Sequence, residues 1–295
     1  MTMRVAQSEI YRNYLNNIET LNESLDTVSR QVSSGKKLTQ LKDSPLSSAE
    51  LVAENDQISE IDQYQSNIST GSYFLQTADS TLNEVNNLVN SVYSQGSNAA
   101  SDSVSSEARS QMAVQVRSLR DQIYALANTQ VRGRYLFSGS AVLKQAFSIS
   151  GDDVTYGGSS ATSSVTIDDG GMTVSDNIVG SAAFDSVFAS IGTLATAMDG
   201  NDTTGIQSAL SQVSSALSDL NQTRQQIGTN LTLLNNTTSS LSSRETNVKN
   251  RQSALEDADM AAAAVQLGQT QTALQTTISA AGKILTQNNL FDFLG

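Results

Sequence analysis

Residues 206–234 read IQSALSQVSSALSDLNQTRQQIGTNLTLL, and an apolar residue returns at every seventh position of this stretch. The series continues to residue 262 as Ile206, Val213, Leu220, Ile227, Leu234, Leu241, Val248, Leu255 and Ala262. Seven residues make nearly two helical turns, so the pattern predicts a narrow apolar seam along one helix. From Ile206 to Asn250 this helix would be about 65–70 Å long, at roughly 1.5 Å per residue. A helix of this length needs other long helices as neighbours.

Two further stretches show apolar residues at alternating spacings of three and four. One predicts a helix over Pro45–Ser94, with Ser44 as its N-cap and Pro45 at the first helical position. The segment around Gly96 is expected to break this helix. A third helix is predicted over Glu107–Asn128. We expect the two long helices to pack side by side, with the third as a further member.

The two ends of the chain carry matching coiled-coil seams. The N-terminal seam precedes Gly35, and the C-terminal seam follows a phase break, a predicted hinge at Glu256–Asp259. We predict that the ends pair with each other and with neighbouring chains. The predicted assembly residues are Ile18, Leu21, Leu25, Val28, Leu267, Leu274, Ile278, Leu285, Phe291, Phe293 and Leu294. The last three belong to an apolar tail, which has to fold back or be covered by another chain.

In the middle of the chain, apolar residues recur at every second position. This pattern predicts two short β-hairpins, over residues 147–156 and 165–174. An amphipathic helix over Phe184–Met198 is expected to support them, because isolated hairpins are marginal. The predicted fold class is therefore mainly α. A long helical bundle or coiled coil is built from both chain ends and carries a small α+β insert. The predicted domains are residues 1–42 with 256–295, residues 43–140 with 205–255, and residues 141–204.

Composition narrows the functional classes. The chain contains neither Cys nor His, which removes thiol, imidazole and His–Zn chemistry. We therefore expect no enzyme activity, no cofactor and no metal. The formal net charge is −12, and residues 145–223 contain no Lys or Arg, which argues against nucleic acid or an anionic membrane as a partner. No apolar run approaches membrane-spanning length, and the N-terminal end shows no cleavable secretory signal.

Several polar groups allow two interpretations each. The pairs Asp152–Asp153 and Asp168–Asp169 could be a catalytic or cation-binding cluster, but glycines flank them, which favours solvated turn acids. The segment Arg132–Tyr135 could bind an anion or a partner, or form a structural corner. Gly71 could mark a hinge, although close helix packing is the more frequent role. The loop Lys36–Lys42 could be a docking surface or a solvated loop.

Several motifs resemble those of the flagellin superfamily. Near the N-terminus these are Ser33-Ser34-Gly35-Lys36 and Asp43-Ser44-Pro45, with Ser44 where the family has a second acid. The most specific match is Ala127-Asn128-Thr129 followed by Gly133-Arg134-Tyr135-Leu136-Phe137-Ser138-Gly139. At the C-terminal end, Glu256-Asp257-Ala258-Asp259 and Leu290-Phe291-Asp292-Phe293-Leu294 are similar to the family's endings. The motif residues to which a family role is assigned are Gly35, Lys36, Asp43, Pro45, Gly133, Tyr135, Leu136, Phe137, Gly139, Asp257 and Asp259.

The resemblance implies a structural, secreted subunit of the bacterial flagellum that joins the hook to the filament. Its partners would be further copies of itself, another hook-associated protein on the hook side and flagellin on the filament side. An export chaperone would hold the C-terminal helix before type III export. The alternative within the superfamily is a flagellin-type filament subunit, and the Tyr135-Leu136-Phe137 motif argues against it. An enzyme on a helical scaffold is the alternative from another class.

Overall fold

The computed structural model describes residues 2–38, 40, 44–175 and 177–287. Within these residues the chain is mainly α-helical. The helices are α1 Thr2–Ser34, α2 Pro45–Ala99, α3 Ser106–Ala127, α4 Gly180–Asp199, α5 Thr203–Glu256 and α6 Met260–Gln287. The strands are β1 Gln130–Val131, β2 Arg134–Tyr135, β3 Phe147–Ser150, β4 Asp153–Tyr156, β5 Ser164–Thr166 and β6 Thr173–Ser175. The predicted residues Asp43, Phe291, Phe293 and Leu294 lie outside the described residues.

The chain divides into two compact units. The terminal unit contains Met1–Ser59 and Arg244–Gly295, and the central unit contains Glu60–Ser243. Both ends of the chain thus belong to one unit, which is the arrangement expected from the matching terminal seams. The division into three domains, with the insert as a domain of its own, stays a prediction.

Helices α2 and α5 lie side by side in the central unit, as the similar seams predict, and they run antiparallel. Arg224 Nε donates to Asp79 Oδ1 at 3.0 Å, and Asn86 Nδ2 donates to Asn221 Oδ1 at 3.0 Å. Between them the seventh-residue series of α5 is buried at Ile206, Val213, Leu220, Ile227 and Leu234. The apolar seam read from the sequence is therefore the contact line of this helix pair.

The terminal unit contains the other ends of the same two helices. There Arg251 donates to both carboxylate oxygens of Glu54 at 2.8 Å, and Gln252 Nε2 donates to Asn55 Oδ1 at 3.1 Å. Leu241 and Val248 continue the buried series, the first in the central unit and the second in the terminal unit. Helix α5 ends at Glu256, so the predicted final member of the series, Ala262, belongs to α6, where it is exposed.

Gly96 does not break α2, contrary to the expectation from its polar surroundings, and the helix continues to Ala99. The residue is buried, and a Cβ atom there would lie 2.7 Å from Leu210 Cδ2 and 3.0 Å from Leu194 Cδ2. Gly96 therefore lets α2 approach α4 and α5 closely. Gly71 is also buried within the uninterrupted α2, where a Cβ would lie 3.8 Å from Leu234 and from Val174. Gly71 therefore permits close helix packing, which is the more frequent of the two roles considered for it.

The two predicted hairpins are present, as is the helix that supports them. Strands β3 and β4 pair antiparallel, with Phe147 opposite Tyr156, and β5 pairs with β6, with Val165 opposite Val174. Helix α4 packs against α3 and β4. Aromatic rings cluster in the core of this region, and the centroid of the Phe147 ring lies within 5.5 Å of the centroids of Tyr156, Phe184 and Phe188.

Helix α3 packs through a face that differs slightly from the predicted one. The apolar spacing predicts a contact face of Met112, Val116, Leu119, Ile123 and Leu126. Of these, Val116 and Ile123 are buried, and the other three are only half-buried. The other buried positions are Arg109, Ala113, Arg120 and Ala127. The contact face therefore includes two arginines, which a search for apolar residues does not detect. Among the described residues, no helix is both long and apolar enough to span a membrane.

Candidate assembly surface

Helices α1 and α6 contact each other along their length in the terminal unit. On α1 the predicted residues Ile18, Leu21 and Leu25 are half-buried, and Val28 is only 3% exposed. These residues repeat at spacings of three and four, so they lie on one side of the helix. The N-terminal seam therefore lies where the sequence predicts it.

The buried line on α6 is displaced by one residue in places from the predicted seam. Leu267 and Leu274 are half-buried as expected. The spacing of the seam also predicts contact at Ala264 and Gln271, but the buried residues are their neighbours Ala263 and Thr270. Ile278 is 52% exposed, so a role for it in assembly would require contact with another chain and stays a prediction. Leu285 lies in α6, but its side chain falls outside the described part of the chain.

The paired helices leave much of their apolar surface uncovered. Seam residues are mostly half-buried rather than buried, because two helices alone can cover only one side of each other. Large apolar side chains on the outer sides are exposed at Tyr11, Leu15, Met260, Val265 and Ile278. A shallow groove follows the exposed side of α6 and is lined by Val265, Gly268, Gln269, Thr272, Ala273, Thr276 and Thr277. This surface is suited to accepting further helices.

The motif around Gly35 meets the motif around Asp257 and forms what we call the terminal clasp, residues 35–37 with residues 256–258. Lys37 N donates to Glu256 O at 2.7 Å, and Ala258 N donates to Gly35 O at 2.9 Å. These bonds surround an antiparallel bridge between Lys36 and Asp257. Gly35 has φ +72°, a conformation that favours glycine and that ends α1 here.

Side chains reinforce the terminal clasp. Lys36 Nζ forms an ion pair with Glu256, whose side chain is only 12% exposed. Lys37 Nζ donates to Ala254 O at 3.2 Å. The segment Lys36–Lys37 is thus part of the clasp, which is neither of the two roles considered for this loop. The sequence alone indicates contact between these two motifs only if the two chain ends are already predicted to meet.

Asp259 caps the beginning of α6. Its Oδ1 accepts hydrogen bonds from the backbone N–H groups of Ala261 and Ala262, both at 3.0 Å. A carboxylate at this position satisfies donors that the first helical turn leaves unpaired. Asp257 accepts a hydrogen bond from Ser253 Oγ at the end of α5. The predicted hinge at Glu256–Asp259 is therefore a true helix break with a defined hydrogen-bond pattern.

The motif Gly133–Gly139 forms a structural corner in the central unit. Strands β1 and β2 pair around a two-residue turn in which Arg132 has φ 52° and Gly133 has φ 78°. Tyr135 and the buried Leu136 and Phe137 follow, and Phe137 lies edge-on to Phe184 with centroids 4.9 Å apart. A Cβ atom at Gly139 would lie 2.0 Å from Ser159 O, so no side chain fits there.

Two arginines of this corner stack on aromatic rings of α2. The guanidinium carbon of Arg132 lies 5.2 Å from the Tyr73 ring centroid, and that of Arg134 lies 5.1 Å from the Phe74 centroid. Such cation–π contacts hold the corner against the bundle. Of the two interpretations of this segment, the structural corner accounts for the observed contacts.

An ionic cluster joins α3 to the β3–β4 turn, and the sequence interpretation missed it. Asp152 accepts from Arg117 Nε at 3.0 Å and from Arg120 Nη1 at 2.7 Å, while Arg117 Nη2 also reaches Asp199 at 2.6 Å. Hydrogen bonds from Arg117 and Arg120 hold the pKa of the Asp152 carboxyl below its usual range. Asp152 is therefore an anchored residue rather than the solvated turn acid that was expected. Arg117 and Arg120, three residues apart on α3, were the available signal.

Asp168 behaves as the turn acid that was expected, since its Oδ1 accepts from Met172 N at 2.7 Å. Within the described ranges, no group of three or more acidic side chains is arranged to hold a metal ion. The predicted assembly residues are thus divided between the α1–α6 pair and positions that the structure does not describe. Their role in assembly stays a prediction.

Comparison with known proteins covers most of the chain. Residues 5–142 match the bacterial flagellin N-terminal helical region, and residues 210–294 match the bacterial flagellin C-terminal helical region. A curated relative, flagellar hook-associated protein 3 of Salmonella typhimurium, is 24% identical over 138 residues, which are 46% of this chain and 44% of the relative. The chain thus matches less than half the length of this relative.

Solved structures share the fold. Flagellar hook-associated protein-3 from Legionella pneumophila has a TM-score of 0.63 at 14% identity, over 69% of this chain and 98% of that one. FlgL from Bacillus cereus has a TM-score of 0.60 at 18% identity, over 68% of this chain and 98% of that one. The matches to the two flagellin regions together span more than half of the chain, at residues 5–142 and 210–294, and the chain therefore belongs to the flagellin family.

Proposed function

We propose that this chain is a structural adaptor subunit of the bacterial flagellum that joins the hook to the flagellin filament. The observation that carries the proposal is the α1–α6 pair, whose seams are half-buried and whose outer sides keep apolar residues exposed. Relatives named flagellar hook-associated protein 3 and a structural neighbour named flagellar junction protein support the position between hook and filament.

The proposed partners follow from this position. Further copies of the chain would form a ring or helical turn through the terminal helices, with another hook-associated protein on the hook side and flagellin on the filament side. An export chaperone would cover the C-terminal helix before type III export to the extracellular flagellum. We assign the assembly contacts to Ile18, Leu21, Leu25, Val28, Leu267, Leu274, Ile278, Leu285, Phe291, Phe293 and Leu294.

We also propose that the chain has no catalytic role. It contains no Cys or His, and Arg117 and Arg120 already engage the Asp152 carboxylate. A structural subunit needs no activated side chain. This composition therefore fits the adaptor better than an enzyme.

Deletion of the gene tests the proposal, with cells examined by electron microscopy and the medium by gel electrophoresis. Bare hooks with flagellin shed into the medium are expected, because the filament would lack its attachment. Loss of the filament subunit itself from both cells and medium would instead identify this chain as a flagellin. Normal filaments on the deletion strain would refute both functions.

A further inference from the structure

The hairpin of β3 and β4 has two outer edges, of which the β3 edge is closed at Phe147 and the β4 edge is open. On the outer edge of β3, the side-chain amide of Asn128 both accepts a hydrogen bond from the backbone of Phe147 and donates one to it. Phe147 N donates to Asn128 Oδ1 at 2.9 Å, and Asn128 Nδ2 donates to Phe147 O at 3.1 Å. Asn128 thus occupies the position that a neighbouring strand would take.

The backbone bonds of Phe147 also define which groups of β4 face outward. Since Phe147 points its N–H and C=O away from β4, the pair Phe147–Tyr156 is not hydrogen-bonded within the hairpin. Antiparallel pairs alternate, so Thr155 bonds to β3 while Val154 and Tyr156 point their N–H and C=O groups outward. Among the described residues, no group hydrogen-bonds these outward groups of β4.

A groove of about 1210 Å³ runs between β4 and α4. Its floor is formed by the exposed side of α4, where the side chains are small: Ala189, Gly192, Thr193, Thr196 and Ala197. Small residues leave room above the helix for an added strand. The open edge of β4 and the space beside it therefore occur together.

The acidic lining of the groove determines which kind of segment it can bind. Its lining contains Asp152, Asp153, Asp185 and Asp202 but no Lys or Arg. Asp152 is engaged by Arg117, and Asp202 accepts from Gly205 N at 3.0 Å at the start of α5. Among the described residues, no group donates a hydrogen bond to the Asp153 or Asp185 carboxylate, and neither carboxylate forms an ion pair. Burial by the groove walls raises the pKa of the Asp185 carboxyl, so a cation beside it would relieve an unfavourable desolvation.

We propose that the outer edge of β4 binds an extended segment of a partner protein that carries Lys or Arg. The segment adds to the hairpin as a third strand, with main-chain bonds to Val154 and Tyr156 and cationic side chains at Asp153 and Asp185. Exposed strand edges commonly bind peptides in this way. The binding site is in the central unit and uses none of the terminal helices, so it is independent of the proposed function.

Hydrogen exchange on the full chain tests the proposal with a defined probe. The probe is a blocked five-residue peptide of alternating lysine and valine, and the matched control peptide has glutamate in place of lysine. Exchange at the Val154 and Tyr156 amides should slow at least tenfold with the lysine peptide. Thr155 should not change, because its amide is already bonded to β3. Equal protection by the glutamate peptide, or none by either peptide, would overturn the proposal.

Two variants separate the main-chain and charge contributions. Val154→Pro removes an outward N–H and should abolish peptide binding while Thr155 keeps its protection. If Thr155 loses protection, a lysine peptide N-methylated on the amides that face β4 replaces the variant and should not bind. Asp185→Asn should weaken binding roughly threefold, whereas Asp219→Asn, which removes the same charge from α5, should not. Equal effects of the two charge variants would contradict the groove as the site.

Another copy of this chain is the competing occupant. It would appear as protection of Val154 and Tyr156 that rises with protein concentration when no peptide is present. That result would overturn the assignment to a partner protein. Exchange that is independent of protein concentration is the expected result.

Discussion

Lys36 and Glu256 form an ion pair that closes the terminal clasp between the two ends of the chain. The pair is flanked by backbone hydrogen bonds from Lys37 to Glu256 and from Ala258 to Gly35. Because the Glu256 side chain is largely covered, removal of its partner would leave a carboxylate poorly solvated. The clasp therefore fixes where α1 ends and where α6 begins.

Lys36→Ala should destabilise the terminal clasp by about 1 kcal/mol, because Glu256 would lose its charge partner. Amide exchange at Lys37 and Ala258 should become faster by a comparable factor. The matched control is Lys249→Ala, which removes an exposed lysine from an i,i+4 pair with Glu245. If both variants leave exchange at the clasp unchanged, the ion pair contributes nothing to it.

Asp152→Asn should loosen the β3–β4 hairpin from α3 by roughly 1–2 kcal/mol at neutral pH, because Arg117 and Arg120 lose their shared acceptor. Amide exchange at Thr155 measures the effect. Asp153→Asn, which changes the neighbouring acid, is the control and should have little effect. Equal loosening by both variants would argue against the arginine cluster as the anchor.

The stability difference between the wild type and Asp152→Asn should depend on pH. Since the folded pKa of Asp152 is lowered, its contribution is complete above the unfolded pKa of about 3.9 and is lost as pH falls through the folded value. The difference should therefore be constant from pH 7 to pH 5 and should shrink below about pH 4. A difference that grows on acidification would contradict this sign.

Gly139→Ala should destabilise the central unit by more than about 2 kcal/mol, because its Cβ would collide with Ser159 O. Gly133→Ala is the matched control. It also has a positive φ, but no atom lies within 4 Å of its Cβ position, so only about 1 kcal/mol of backbone strain is expected. Urea unfolding followed by tyrosine fluorescence compares the two variants. Equal losses would show that φ alone determines the cost.

Truncation after Gln287, or Leu285→Asp, should abolish assembly and leave the central unit folded. The physical reason is that the removed or altered residues belong to the proposed contact surface and not to the aromatic core around Phe147. Circular dichroism and amide exchange at Thr155 measure folding, and complementation of the deletion strain measures assembly. Normal filaments on cells that carry the truncated chain would refute the assignment of the C-terminal end.

The seventh-residue series was the most predictive part of the sequence. Its members from Ile206 to Val248 are buried, because long helices contact each other along one line and the sequence records that line directly. The hairpin over residues 147–156 was likewise predictable from period two. Both patterns are local and regular, so they can be read without knowing the neighbours.

Features that depend on neighbours could not be predicted in this way. The local sequence predicts that Gly96 breaks the helix, but its role depends on Leu194 and Leu210, which are distant in sequence. Asp152 appeared to be a solvated acid, because its partners Arg117 and Arg120 belong to another helix. On α6, Ala263 and Thr270 occupy the contact line, and such small residues carry little hydrophobic signal.

The antiparallel match of α2 with α5 has a consequence for how this chain can change in length. Each seventh residue of α5 returns to the same side, so inserting seven residues lengthens the helix and preserves its contact line. An insertion of one, two, three, five or six residues leaves the following residues rotated by about 60° or more, at about 100° per residue, and turns apolar side chains toward water. The hydrogen bond from Arg224 to Asp79 also fixes the alignment of the two helices along their axes. An insertion in one helix therefore has to be matched by an equal insertion in the other. The helix pair therefore accommodates matched insertions that make up nearly whole helical turns, such as seven residues in each helix.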